Sequence, residues 1–154
     1  MNFLFVCTGN TCRSAMAEAL AKKLLSDAGI RDITVSSCGT AVAPTYMVPP
    51  IVVALMKAEG IDITQHRPEQ LTLKLIQNAD IILGMDDYHK QYISSLAPGE
   101  KSKVFLLKEY IGETSNLNIL DPMGHTDEFY SKTKDELKYY IVKLIERFKN
   151  QQKT

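Results

Sequence analysis

No stretch of the 154 residues approaches the roughly 20 consecutive apolar residues that span a bilayer, so no membrane partner is expected. The apolar run near the N-terminus covers only Phe3 to Cys7, with no basic segment before it and no small-residue cleavage site after it. A secretory signal is therefore not expected. An excess of charge is missing too. Lys plus Arg number 18 against 18 for Asp plus Glu, which leaves no global field to select nucleic acid. Cysteine is scarce and odd in number: three residues make a poor disulfide framework, so a reducing, cytoplasmic setting is expected. Four residues separate Cys7 from Cys12 and no second Cys or His pair stands near them, so no metal and no cofactor are expected. Neither G-x-x-x-x-G-K-[ST] nor a post-strand G-x-G-x-x-G occurs, and C-x-x-C is absent. That removes the common nucleotide cradles and thioredoxin-type exchange.

What is present is an ordinary globular composition, 45% hydrophobic and 23% charged, long enough for one domain over residues 1–154 with a sizeable core. Phe3 to Val6 reads as a strand buried on both faces. Ala15, Met16, Ala19, Leu20, Leu24 and Leu25 then recur at helical spacing, predicting a helix from Cys12 or Arg13 to Asp27. A second strand is predicted from Arg31 to Ser37, a third from Asp80 to Met85 and a fourth from Val104 to Leu107, with a loop after Tyr110. Between them lie a helix started by Pro50 and stopped by Gly60, one over Leu71–Asn78, and one capped by Asp86-Asp87 that runs to Leu96. A last helix is predicted over about Asp127–Lys149, with a fraying tail. Strands alternating with helices argue a doubly wound α/β domain with a parallel sheet.

The chemistry concentrates in Cys7-Thr8-Gly9-Asn10-Thr11-Cys12-Arg13-Ser14. Strand, short loop and helix N-terminus make an anion site, because successive backbone N–H groups point into the turn and the helix dipole adds positive charge. A thiol facing such a terminus and an Arg is expected to ionise readily and act as a nucleophile. The planar fork of Arg13 can hold two phosphate oxygens. A cysteine ending an apolar strand is usually a small buried hydrophobe. Here Gly9, Asn10, Cys12, Arg13 and Ser14 crowd in before the first helical turn, a cluster with no packing rationale. The residues point to covalent phosphoryl transfer through a cysteinyl-phosphate.

These eight residues resemble the C-x5-R-S phosphate loop of the low-molecular-weight protein tyrosine phosphatases. The resemblance covers nearly the whole chain, since Asp121-Pro122 looks like the family's general-acid loop. It implies a four-stranded sheet in the order 2-1-3-4, helices on both faces, and the loop at the carboxyl end of the first strand. It makes Cys7 the nucleophile, Arg13 the phosphate clamp and Asp121 the general acid, with Thr8 through Ser14 binding phosphate. Ser14 is then expected to donate to the Cys7 sulfur, Asn10 to hold the loop from a left-handed backbone, and Gly9 to permit the tight turn. Ser37-Cys38-Gly39-Thr40 and Thr64-Gln65-His66-Arg67 resemble further family elements, with Cys38 buried and His66 hydrogen-bonded near the loop. Cys12 is expected to be a redox partner that traps an oxidised Cys7 as a disulfide.

Two features resemble the protein arginine phosphatase branch instead of the tyrosine pattern. Thr11 stands where an apolar Ile or Leu is usual, and Met123-Gly124 follows the Asp-Pro where aromatics usually wall a deep slot. His89-Lys90-Gln91 and Lys108-Glu109-Tyr110 also resemble that branch, while Tyr88 or Tyr92 remains available as an aromatic wall. The expected function is a monomeric, metal-free phosphatase acting on phosphoarginine in proteins, with phosphotyrosine as the alternative. A non-catalytic phosphopeptide-binding module is a more distant one, because it would not need both Cys7 and Asp121.

Overall fold

Strand β1 (Asn2–Cys7) has two apolar environments to fill. Phe3, Phe5 and Cys7 join one buried cluster, and Leu4 and Val6 join another on the opposite face. A strand covered on both sides has no polar face to show, which is why its sequence reads as an unbroken apolar run. In the computed structural model, which describes residues 1–154, β2 (Thr34–Gly39) and β3 (Ile81–Gly84) flank β1, and β4 (Val104–Leu106) pairs with β3. Every pairing is parallel, and the order is β2-β1-β3-β4, as expected.

Six α-helices cover the sheet: α1 (Arg13–Asp27), α2 (Pro50–Ala58), α3 (Leu73–Asn78), α4 (Asp87–Leu96), α5 (Leu107–Ile111) and α6 (Asp127–Gln152). Met16 and Leu20 of α1, Val52 and Met56 of α2, and Leu137, Ile141 and Leu144 of α6 pack with Phe3 and Phe5. The rings of Phe3 and Phe148 meet at 4.8 Å. Burying an aromatic side chain of this size stabilises by about 1.5–3 kcal/mol. Ile76 of α3 and Ile93 of α4 pack on the other face with Leu4 and Val6. No helix is long and apolar enough to cross a membrane.

The elements depart from the sequence expectations at their ends. Strand β2 continues past Ser37 to Gly39, because the pairing with β1 runs on to Cys7 opposite Gly39. The Gly39 peptide is also held from outside, its N–H donating to Glu69 O and its carbonyl accepting from Leu71 N, each at 2.8 Å. A Cβ there would stand 2.3 Å from the Thr8 carbonyl, so only glycine lets β2 reach the loop that follows β1. Helix α3 starts at Leu73 instead of Leu71, since Thr72 Oγ1 accepts from Leu75 N at 3.2 Å and caps it. Strand β4 stops one residue short of the expected Leu107, which instead opens helix α5 ahead of the loop; Glu109 folds back to accept from Leu106 N at 3.2 Å, closing the turn. Helix α6 runs on through Gln152.

Candidate active site

Five residues join the end of β1 at Cys7 to the start of α1 at Arg13. None of the backbone N–H groups of Thr8, Gly9, Asn10, Thr11 or Cys12 donates to a protein acceptor, although Asn10, Thr11 and Cys12 are buried. Helix α1 also opens without a side-chain cap. Buried backbone donors are almost always paired, so five consecutive free ones form a nest that calls for an anion. The adjoining first turn of α1 reinforces it with its dipole.

The loop holds this unfavourable shape through Asn10, whose φ of 55° is left-handed, as expected. Its amide nitrogen donates to Ser14 Oγ at 2.7 Å and Ser37 Oγ at 2.9 Å. Its Oδ1 accepts from Glu69 N at 3.0 Å, and its carbonyl accepts from His66 Nε2 at 2.9 Å. Contacts from four residues over-determine one strained residue. Gly9 is not left-handed. Its missing side chain makes room for the Tyr46 ring, which would lie 3.3 Å from a Cβ at that position.

Around Cys7 the hydroxyl protons have a defined sense. Ser37 donates to the Glu18 carboxylate at 2.8 Å, which leaves it accepting from Asn10. Ser14 also accepts from Asn10, so its single proton goes to Cys38 O at 3.3 Å or to Cys7 Sγ at 2.8 Å. A thiol at Cys7 donates to Ser14 and sends that proton to the carbonyl; a thiolate takes it. Both states are hydrogen-bonded, and the charged one gains the stronger, charge-assisted bond. Cys12 is different. Burial pushes its thiol above the ordinary range, and the negative charges of Cys7 and Asp121 push the same way. Of the two loop cysteines, Cys12 is thus held as the neutral thiol. Cys38 is buried, with its thiol likewise pushed up by burial.

Arg13 is 2% exposed, so the orientation of its guanidinium is set by partners rather than by solvent. Its NH1 donates to Asp86 Oδ2 at 3.0 Å and to Ile119 O at 2.9 Å. Its NH2 faces Asp121 Oδ2 at 3.6 Å. With NH1 committed to protein, NH2 and Nε remain for a ligand. The same contacts draw the 119–123 segment, with half-exposed Asp121, onto the loop. Asp121 is braced by Met123 N, which donates to its Oδ1 at 3.1 Å. Thr11 is buried, its Oγ1 at 3.6 Å from Cys12 Sγ.

Cys7, Thr8, Gly9, Asn10, Thr11, Cys12, Arg13, Ser14 and Asp121 are thus brought into one site. Several contributors were not foreseen. Asp86 anchors Arg13 while its Oδ1 caps α4 by accepting from Tyr88 N at 3.0 Å. His89 reaches Thr8, and Glu18 and Ser37 back Asn10. The aspartate three residues before a histidine was a readable signal for the first pair, being a capping-box spacing with imidazole at the third position. Tyr46 left no signal within its proline-rich loop. A surface concavity of about 660 Å³ lies away from Cys7, between α1 and residues 60–66. No group of acidic, His or Cys residues has the arrangement of a metal site.

The comparisons agree with this geometry. The family model for low molecular weight phosphotyrosine protein phosphatase matches residues 2–154. A protein-arginine-phosphatase of Bacillus subtilis strain 168 is 38% identical over 149 residues, 97% of each chain. A probable low molecular weight protein-tyrosine-phosphatase, EpsP of Ralstonia nicotianae, is 41% identical over 119 residues, 77% of this chain and 76% of its own. Among solved structures, a cysteine-to-serine variant of the YwlE arginine phosphatase, with its active-site serine phosphorylated, matches with a TM-score of 0.90. It is 37% identical, over 97% of this chain and 96% of its own.

Proposed function

This chain belongs to the low molecular weight phosphotyrosine protein phosphatase family and is a phosphatase; from that premise we propose that it hydrolyses protein phosphoarginine, with Cys7, Arg13 and Asp121 as its catalytic residues. One observation carries the mechanism: five free backbone N–H groups surround the mouth of a loop that holds Cys7 and the anchored Arg13. Phosphoryl oxygens satisfy those amides and the free face of Arg13, which aligns phosphorus with the Cys7 thiolate. The S–P bond forms as the bond to the leaving atom breaks, and Asp121 gives that atom its proton. In the second step the Asp121 carboxylate takes a proton from water, the hydroxide attacks phosphorus, and the S–P electron pair returns to sulfur. The Ser14 hydroxyl, its Oγ 2.8 Å from that sulfur, stabilises it as attacker and again as leaving group. Thr8, Gly9, Asn10, Thr11, Cys12 and Ser14 shape the phosphate site around it. All these groups come from one chain, in one domain over residues 1–154, so a monomer suffices.

The substrate assignment rests on the mouth. Thr11 puts a buried hydroxyl into the loop, 3.6 Å from Cys12 Sγ, and Asp121 a half-exposed carboxylate 3.6 Å from Arg13 NH2, oxygens that suit the N–H groups of a guanidinium. Relatives aligned over 97% of the chain include arginine phosphatases from two organisms. The phosphotyrosine reading has its own support in the Tyr46 ring beside Gly9, a ready aromatic wall supplied by that loop in place of Tyr88 or Tyr92. Turnover of phosphoarginine and phosphotyrosine peptides, side by side, decides. We expect wild type to favour phosphoarginine by at least tenfold in kcat/KM. Thr11→Ile is expected to move that ratio toward phosphotyrosine by about 10-fold, the order set by one lost polar contact. A wild-type preference for phosphotyrosine overturns the assignment.

Three free cysteines, one of them the nucleophile, fit a reducing compartment, the cytoplasm. Under peroxide, Cys7 thiolate is oxidised to the sulfenic acid and the peroxide is reduced. Attack by Cys12 sulfur then expels water and leaves a disulfide that thiols reverse. Cys12→Ser is expected to lose most of the activity that wild type regains when dithiothreitol follows peroxide. Equal recovery in both chains removes the resolving role.

A further inference from the structure

Strand β3 ends at Gly84, where a Cβ would lie 3.2 Å from the Cβ of His89. That narrow gap admits a fully buried imidazole beneath the first turn of α4. The ring has one arrangement of its proton. The Asp86 backbone N–H donates to Nδ1 at 3.1 Å, so Nδ1 carries no hydrogen. The hydrogen is therefore on Nε2, which donates to Thr8 Oγ1 at 2.9 Å. Burial pushes the imidazole down to about 4, so it is neutral near pH 7. The charges facing it are Asp86 on its own helix, Arg13 from α1 and Asp121 from the loop before α6.

We infer that His89 is a positioning residue of the phosphate loop, acting on the ligand through Thr8; this rests on the phosphatase reading of that loop. Closing the start of α4 needs only an acceptor for the Asp86 N–H, which Glu or Gln supplies in ordinary capping boxes. A rigid ring adds a second function, an aimed donor on its far side. With Oγ1 accepting from His89 and its carbonyl accepting from Ala41 N at 2.9 Å, Thr8 is gripped from two directions. Its backbone N–H and its hydroxyl proton have no protein acceptor and remain for phosphate. The same turn of α4 holds the other end of the loop, because Asp86 Oδ2 accepts from Arg13. One capping unit thus sets the spacing between the first loop amide and the guanidinium.

Four chains test this: wild type, Thr8→Val, His89→Gln and the double variant. Each is measured for kcat/KM on a phosphoarginine peptide, for inorganic phosphate affinity by calorimetry, and for thermal midpoint. Each single change is expected to lower kcat/KM by about 5- to 30-fold and to weaken phosphate binding in parallel, the range of one or two hydrogen bonds. Because His89 acts through Thr8, the double variant should lie within about twofold of the worse single one. Gln preserves the cap, so the His89→Gln midpoint should stay within a few degrees of wild type. Multiplying losses, or a His89→Gln defect that follows a collapsed midpoint, overturn the inference. If His89→Gln does not fold, Thr8→Val alone decides, since it leaves the cap intact; unchanged phosphate affinity in that chain overturns it. Weakened phosphate binding in chains that turn nothing over sinks the phosphatase reading and leaves the positioning role standing.

Discussion

Cys7→Ser is expected to lose at least about 10⁴-fold in kcat on every phosphorylated substrate, while its affinity for inorganic phosphate changes by less than about threefold. The asymmetry follows from what each part of the site does. In the proposed mechanism phosphate is held by backbone N–H groups and by Arg13, none of which depends on the identity of the residue at the end of β1. Attack on phosphorus depends on a thiolate, and a serine hydroxyl ionises far less readily than a thiol. The neighbouring contact sharpens the loss. Ser14, 2.8 Å from the sulfur, is arranged to give its proton to an anion there. Facing a neutral hydroxyl, it stays on Cys38 O and stabilises nothing that forms in the reaction. Calorimetry with phosphate and single-turnover assays on the same preparation separate the two effects. Retention of more than a tenth of wild-type kcat would remove Cys7 as the nucleophile, and parallel loss of phosphate affinity would make the change structural.

The parts of this site that could be read from the sequence are those whose logic is local. Cys7, Asn10, Arg13 and Ser14 fall within eight positions, where strand end, turn and helix start fix their relations before any tertiary contact forms. The left-handed Asn10 and the Ser14 contact to Cys7 were legible for that reason. The support of the loop was not, because it comes from far along the chain. Ser37 is 27 residues from Asn10, Asp86 is 73 from Arg13, and the Ile119 carbonyl that fixes the guanidinium is 106 away. A backbone carbonyl carries no sequence signature at all. Gly9 is instructive in the other direction. Glycine in a tight loop suggests φ above zero, yet here its need is for space beside Tyr46, which only the folded chain reveals. The sheet order likewise came from resemblance, since periodicity places residues on faces but does not rank strands.

Asp121→Asn is expected to separate substrates by their leaving groups. On phosphoarginine the departing atom is a guanidine nitrogen, strongly basic once free, and expelling it without a proton is prohibitive. Loss of the acid should cost about 10²- to 10⁴-fold in kcat there. An activated aryl phosphate releases a stable phenolate unaided, so its first step should fall by less than about tenfold. In the proposed mechanism the protonated carboxyl of Asp121 supplies this proton. Asp121 is half-exposed at the loop mouth, its Oδ2 3.6 Å from Arg13 NH2 and its Oδ1 braced by Met123 N. Asp86 is closer to the guanidinium, but its oxygens are committed to Arg13 NH1 and to the first turn of α4. Asp86→Asn should therefore weaken phosphate binding on all substrates alike, with no dependence on the leaving group. Equal losses for both substrates in Asp121→Asn, or a leaving-group dependence in Asp86→Asn, would exchange the two assignments. The second step adds a check. If Asp121 also activates water, the aryl substrate on Asp121→Asn should release its phenolate in a burst and then slow, as the cysteinyl-phosphate on Cys7 waits for a base.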